Sequence, residues 1–97
     1  MKYVSYVTYT TDKAKIAAHR PKHREYLSGL LSQGKLVTAG PFMDDSGALF
    51  IYEADSAEAA SALVAEDPFS TNGVFERSQL KPWKLVFSNL ALLKAGS

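Results

Sequence analysis

The apolar positions of this chain switch between two periods, and the switches mark its elements. Residues 2–10 alternate as a strand does, with Tyr3, Ser5, Val7 and Tyr9 in one set and Val4, Tyr6 and Thr8 in the other. The run is rich in Tyr, Val and Thr, which suit a pleated surface. Both sets carry apolar or aromatic groups, so neither face is expected to look wholly into water. Thr11-Asp12 then offers a helix N-cap, and a helical pattern continues to about Gln33, where Gly34 is a C-terminal stop. Pro21 interrupts it. A proline inside a helix removes a hydrogen bond and crowds the preceding turn. The pattern therefore predicts a short first turn near 13–18 and a main helix from about Arg20, with Pro21 in its first turn. On that helix His23, Leu27, Leu30 and Leu31 fall at i, i+4, i+7 and i+8, one core-facing stripe.

Residues 35–42 read as a second strand. Asp44-Asp45-Ser46-Gly47 makes a turn, and Ala48 to Glu53 is a third strand with an unbroken apolar centre. These two strands read as a hairpin. Asp55 or Ser56 caps a second helix, with Glu58 placed for a capping box if Asp55 is the cap. Ala60, Leu63, Val64 and Asp67 fall at i, i+3, i+4 and i+7 on it, and Pro68 ends it. A loop through Ser70-Thr71-Asn72-Gly73 leads to a last strand from Val74 to about Val86, where Pro82 marks an edge position or a bulge. Residues 88–97 form a tail with an apolar patch, Leu90-Ala91-Leu92-Leu93, expected to pack on its own domain or on a partner chain.

The order is βαββαβ. Two right-handed crossovers put both helices on one face of the sheet, the ferredoxin-like arrangement of an α+β fold. The other face carries too many apolar groups to stay bare. Sheet-to-sheet association into a homodimer or higher homo-oligomer would cover it and shield the edge strands. Residues 1–87 are expected to be the domain and 88–97 the tail.

Composition narrows the function classes. The 97 residues make one domain. No cysteine is present, so thiolate chemistry and disulfides are excluded. The formal charge of +1 is spread among interspersed acids and bases, with no basic block for nucleic acid. No apolar run reaches the roughly 18 residues that span a bilayer, and no charged-then-apolar signal region opens the chain. A cytoplasmic protein with no membrane partner is expected.

The candidate chemistry rests on two residues far apart in sequence. His23 and Asp67 each fall on the apolar stripe of a helix, where a titratable group must be bonded, paired or functional. Imidazole with carboxylate is a common way to build a proton donor or acceptor at neutral pH. If they meet, Asp67 fixes the tautomer and the second ring nitrogen takes the proton. The competing readings are a core histidine bonded to a backbone carbonyl and an aspartate capping the next turn. His19 and His23 have the i, i+4 spacing of metal ligands, but Pro21 lies between them and no third ligand matches, so no metal is expected. No glycine-rich phosphate loop points to a nucleotide, and no organic cofactor is expected. Arg20 suits a substrate carboxylate or phenolate, or else a surface ion pair with Glu25, Asp67 or another neighbour. Gly40 and Pro41 permit close approach to a ligand, or simply end a strand. Phe42, Phe69 and Trp83 suit a pocket wall, or core and dimer packing. Ser5 and Ser78 sit in no nucleophile motif.

In its motifs the chain resembles the YCII-related family, also called the DGPF family. The resemblance is carried by Arg20-Pro21-Lys22-His23, by residues 34–41, and by Asp45-Ser46-Gly47. It continues through Asp67-Pro68-Phe69, Gly73-Val74-Phe75-Glu76 and Lys81-Pro82-Trp83, running from about residue 2 to 84. It implies a dimeric α+β barrel and an active site on His23 and Asp67, without implying one reaction. One branch of the family removes chloride from chlorinated hydroxyquinols, and muconolactone isomerases share the barrel architecture; no stretch here marks the dechlorinating branch. The reading is a small cofactor-independent enzyme acting by proton transfer on a small aromatic, enol or lactone substrate, by elimination or isomerisation. The rivals are a non-catalytic ligand-binding or accessory domain and an oligomerisation module.

Overall fold

Aromatic and β-branched residues run from Lys2 to Tyr9, and in the computed structural model, which describes residues 1–96, they form strand β1. Asp12 starts the next element. Its side chain accepts from the Lys15 backbone N–H at 3.1 Å, and helix α1 runs from Lys13 to Ser32. Gly34, at a φ of +73°, turns the chain out of it in a conformation glycine adopts without strain. Strands β2 (Leu36–Pro41) and β3 (Gly47–Glu53) pair as the expected antiparallel hairpin, with Val37 bulged between Leu36 and Thr38. Helix α2 (Ala57–Ala65), the short helical turn α3 (Pro68–Thr71) and strand β4 (Phe75–Trp83) follow. The four-stranded sheet has the order β2-β3-β1-β4 with every neighbouring pair antiparallel. This is the ferredoxin-like βαββαβ arrangement.

Alternation decides which side chains meet the helices. Tyr3, Ser5, Val7 and Tyr9 of β1 are buried, together with Ala48, Phe50 and Tyr52 of β3. Ile16 and Leu30 of α1, Ala60 and Val64 of α2, and Phe69 of α3 close over them. The opposite face of the sheet carries Tyr6, Leu49 and Trp83, which are 52%, 38% and 40% exposed. As expected for a strand containing Pro82, β4 lies at an edge.

Three local expectations are corrected, and one open alternative, the cap of α2, is decided. Helix α1 does not break near Pro21 but passes through it. Proline deprives the Ala17 carbonyl of its donor, yet Ala17 and Pro21 are both exposed, so water can serve that carbonyl. Leu31 leaves the predicted stripe and is 55% exposed, because eight residues rotate a helix about 80° past its starting face. Ser56, not Asp55, caps α2, accepting from the Ala59 N–H at 3.1 Å; Glu58 then sits one place short of closing a capping box. Asp67 does not continue α2, which ends at Ala65; it begins α3, with Pro68 at the first helical position.

Candidate active site

One oxygen of Asp67 holds two groups at once. The Asp67 backbone is extended, so the residue can act as the N-cap of α3, and its Oδ1 accepts the Phe69 backbone N–H at 2.9 Å. The same oxygen lies 2.6 Å from His23 Nδ1 on α1. An ionised carboxylate oxygen only accepts, so beside it a neutral imidazole donates from Nδ1 and has Nε2 as its acceptor. Both side chains are buried, Asp67 completely. Its Oδ2 is also buried and has no hydrogen-bond partner among the described residues. The short bond therefore ties α1 to α3 in the interior, where charge-assisted hydrogen bonds are strong.

Aromatic rings fix the imidazole plane. The His23 ring stacks on Phe69, with centroids 3.9 Å apart and planes 6° from parallel. Phe50 and Phe75 meet it edge-on at 5.9 and 6.2 Å. His23 also lines a cleft of about 250 Å³ with Tyr9, Arg24, Leu27, Gly40, Pro41 and Phe50 among its walls. Burial pushes the Tyr9 phenol up to about 12, against the opposing pull of Arg20. Tyr9 thus stays a neutral donor at physiological pH, and its hydroxyl makes no hydrogen bond with the described residues. Burial, reinforced by Asp67, also raises the Tyr52 phenol well above its usual range. The arrangement combines an imidazole held in place, a neutral phenol and a small cleft of mixed polar and apolar lining.

The structure brings together His23, Asp67, Phe69, Gly40 and Pro41 from the sequence-derived set. Arg20 is engaged elsewhere: its Nη2 meets Asp45 Oδ1 at 2.9 Å on the β2–β3 turn, where Asp45 has a φ of 59°. Phe42 packs on Tyr6, ring centroids 5.3 Å apart, on the side of the sheet away from the helices. Trp83 lies opposite Lys2, at the far end of β1 from Tyr9. Neither reaches the dyad's cleft within one chain. Sequence reasoning missed Tyr9, Arg24 and the edge-on rings of Phe50 and Phe75. The only signal for Tyr9 was its place at the end of the inward set of β1. His19 is half-buried and His23 is engaged by Asp67; among the described residues no cluster of three or more His, Cys, Asp or Glu is placed to hold a metal ion. No helix among the described residues is long and apolar enough to cross a membrane.

Comparison with known proteins gives the same fold and the same span. The family model of the YCII-related domain matches residues 1–84. Proteins called YciI from Escherichia coli O6:H1 and Shigella flexneri are each 40% identical over 96 residues, covering 84% of this chain and 98% of theirs. The uncharacterised YjpA of Bacillus subtilis is 37% identical over 67 residues, 69% of this chain and 78% of its own. Among solved structures, the 5-chloro-2-hydroxyhydroquinone dehydrochlorinase TftG of Burkholderia phenoliruptrix, in complex with 2,5-dihydroxybenzoquinone, superposes with a TM-score of 0.76. It is 26% identical over 87% of this chain and 94% of its own. A muconolactone isomerase shares the fold, with a TM-score of 0.68 at 14% identity over 93% and 95% of the two chains.

Proposed function

This chain belongs to the YCII-related family, and from that footing we propose that it is a cofactor-independent acid–base enzyme acting on a small aromatic, enol or lactone substrate by elimination or isomerisation. The observation that carries the proposal is the buried 2.6 Å bond between His23 Nδ1 and Asp67 Oδ1, with His23 on the wall of a small cleft. His23 is the acid and base; Asp67 is its positioning residue, holding the tautomer and favouring the imidazolium once a proton arrives. In the first step Nε2 takes a proton from carbon next to a carbonyl, and the electron pair of that C–H bond moves onto the carbonyl oxygen as an enolate. Tyr9 is positioned to donate to that oxygen. The enolate then either expels a leaving anion, which is elimination, or takes the proton back at another carbon, which is isomerisation. The 26% identity to a protein whose name describes loss of hydrogen chloride supports the elimination branch.

The unit we propose is a homodimer formed through the bare sheet face that carries Tyr6, Leu49 and Trp83. Phe42 and Trp83 then belong to that interface rather than to the cleft.

Proton exchange tests the chemistry without knowledge of the natural substrate. Purified protein is incubated in deuterium oxide with a panel of hydroxyquinols, lactones and other enolisable compounds, and exchange at carbon is followed by NMR. At least one compound should exchange faster than in buffer, and His23→Asn, which keeps an N–H for Asp67, should remove the effect. Binding of panel compounds with no exchange on any of them would favour the accessory-domain reading instead.

A further inference from the structure

Arg24 follows His23 on α1, is exposed, and makes no ion pair or hydrogen bond with the described residues. It differs in this from Arg20, which is held by Asp45. Arg24 lines the dyad's cleft and also a larger neighbouring one of about 710 Å³; Leu27 and Ala39 line both as well. The two clefts therefore meet along a common edge. The larger one is walled by α1, by β2 and by the returning C-terminal segment, through Leu31, Val37, Leu92 and Leu93, with Lys94 also in its lining. Leu31, Leu92 and Leu93 are 55%, 71% and 56% exposed. Apolar surface gathered in a concave space beside a reactive group is how ligand sites are built, and a guanidinium with no partner at its edge matches a carboxylate in charge and geometry. The wall from Leu92 onward lies beyond residue 84, where the family match ends.

We infer that the substrate is an amphiphilic carboxylate: its anionic end is bound by Arg24, its apolar body lies in the cleft closed by Leu92 and Leu93, and its reacting carbon faces His23. The inference rests on the acid–base reading for the placement of the reacting carbon, but ligand class and chemistry fail separately. The C-terminal segment acts here as a specificity element added to the family fold. A carboxylate without an apolar body leaves the larger cleft empty, and an apolar amide leaves Arg24 without its partner.

The test uses octanoate, its neutral counterpart octanamide, and acetate, titrated into the full chain and followed by NMR of the backbone amides. Octanoate should shift signals of α1, β2 and residues 92–95, and bind at least about tenfold more tightly than octanamide or acetate. Arg24→Gln should lose about tenfold for octanoate, to the level of octanamide. A chain ending at Phe87 keeps the whole family match, so circular dichroism should report an intact fold; its octanoate affinity should fall while its weak acetate binding stays the same. Equal octanoate affinity in all three proteins, or equal binding of octanoate and octanamide, overturns the inference. His23→Asn separates the two claims, because it should still bind octanoate while losing proton exchange. Exchange on the compound panel that is indifferent to Arg24→Gln and to truncation leaves the acid–base reading standing and removes this one.

Discussion

Replacing His23 by alanine removes more than a proton carrier. The ring that stacks on Phe69 is lost, and the fully buried Asp67 carboxylate, whose Oδ2 already has no partner, is left without its imidazole. Breaking a buried pair from one side costs about 3–5 kcal/mol, so His23→Ala should unfold at markedly lower denaturant than wild type. His23→Asn keeps a donor toward Asp67 and should lose much less stability, while proton exchange falls by about 10²–10⁴-fold. Chemical denaturation of the two variants side by side checks this; equal stability would mean that the pair does not hold α1 to α3. Glu53 gives a prediction at the opposite, solvated end of the site's strands. The Met1 amine at 2.8 Å and the Lys2 ammonium at 2.9 Å hold its carboxyl down from 4.5 to about 2. A depressed carboxyl stabilises the fold above its unfolded value and loses that contribution as pH falls through its folded one. Melting temperature should therefore drop between pH 4.5 and 2 more steeply in wild type than in Glu53→Gln, and parallel curves would refute it. His23 was legible because a titratable group on an apolar stripe needs a reason to be there; Asp67 was singled out on the same ground, but α2 ends before it and its true place, at the start of α3, was not legible. Nor was the partner of Arg20, because Asp45 lies 25 residues away on a turn whose placement depends on the whole sheet.

Elements meet at two contacts that single substitutions can probe. Tyr26 on α1 donates its hydroxyl to the Leu63 carbonyl on α2 at 2.6 Å, and burial raises its phenol to about 12. Tyr26→Phe keeps the ring and deletes the bond, which should cost about 1 kcal/mol; a variant as stable as wild type in urea would show that water replaces the phenol. Gly47 opens β3 where it pairs with β1 opposite Thr8, and a Cβ there would overlap the Val7 carbonyl oxygen. That atom is backbone and cannot swing aside. Gly47→Ala should therefore cost at least about 1–3 kcal/mol, as overpacking does, and lower the melting temperature far more than alanine at Gly40, where a Cβ meets nothing. The strand and helix order was legible from hydrophobic pattern together with caps, turn residues and glycine stops. The continuity of α1 was not, because local rules treat Pro21 as a break and only the solvent exposure of Ala17 makes the lost bond tolerable. α3 was missed for a related reason. A Pro-Phe-Ser-Thr run reads as loop until Asp67 is seen capping it, and that cap is also what aims the carboxylate at His23.

At the scale of the whole molecule, the two sides of the sheet are unequal. One is closed by α1, α2 and α3 over a core that includes Val7, Phe50, Tyr52 and Phe69. The other presents Tyr6 packed on Phe42, Leu49 beside Tyr6 across the β1–β3 pairing, half-buried Val4 and Ile51, and Trp83 at one end. Antiparallel sheets tolerate water on one face when that face is polar; here its centre is apolar, the mark of a surface that is covered in use. The homodimer we propose would cover it, because a two-fold axis through the sheet would lay each apolar centre on the other; stable interfaces of this kind bury about 1,600 Å² in total. Wild type should therefore scatter light at twice the chain mass of 10.6 kDa at micromolar concentration. Leu49→Lys is the discriminating variant. In an isolated chain it is a mild surface change at a position 38% exposed, and the fold should survive it. In a face-to-face dimer it would bring two ammonium groups toward an apolar contact, and burying a charge there is costly. The variant should keep its circular dichroism spectrum and scatter as a monomer. Wild type scattering as a monomer, or Leu49→Lys remaining a dimer, would leave this face open to solvent and require another explanation for its aromatic and aliphatic centre.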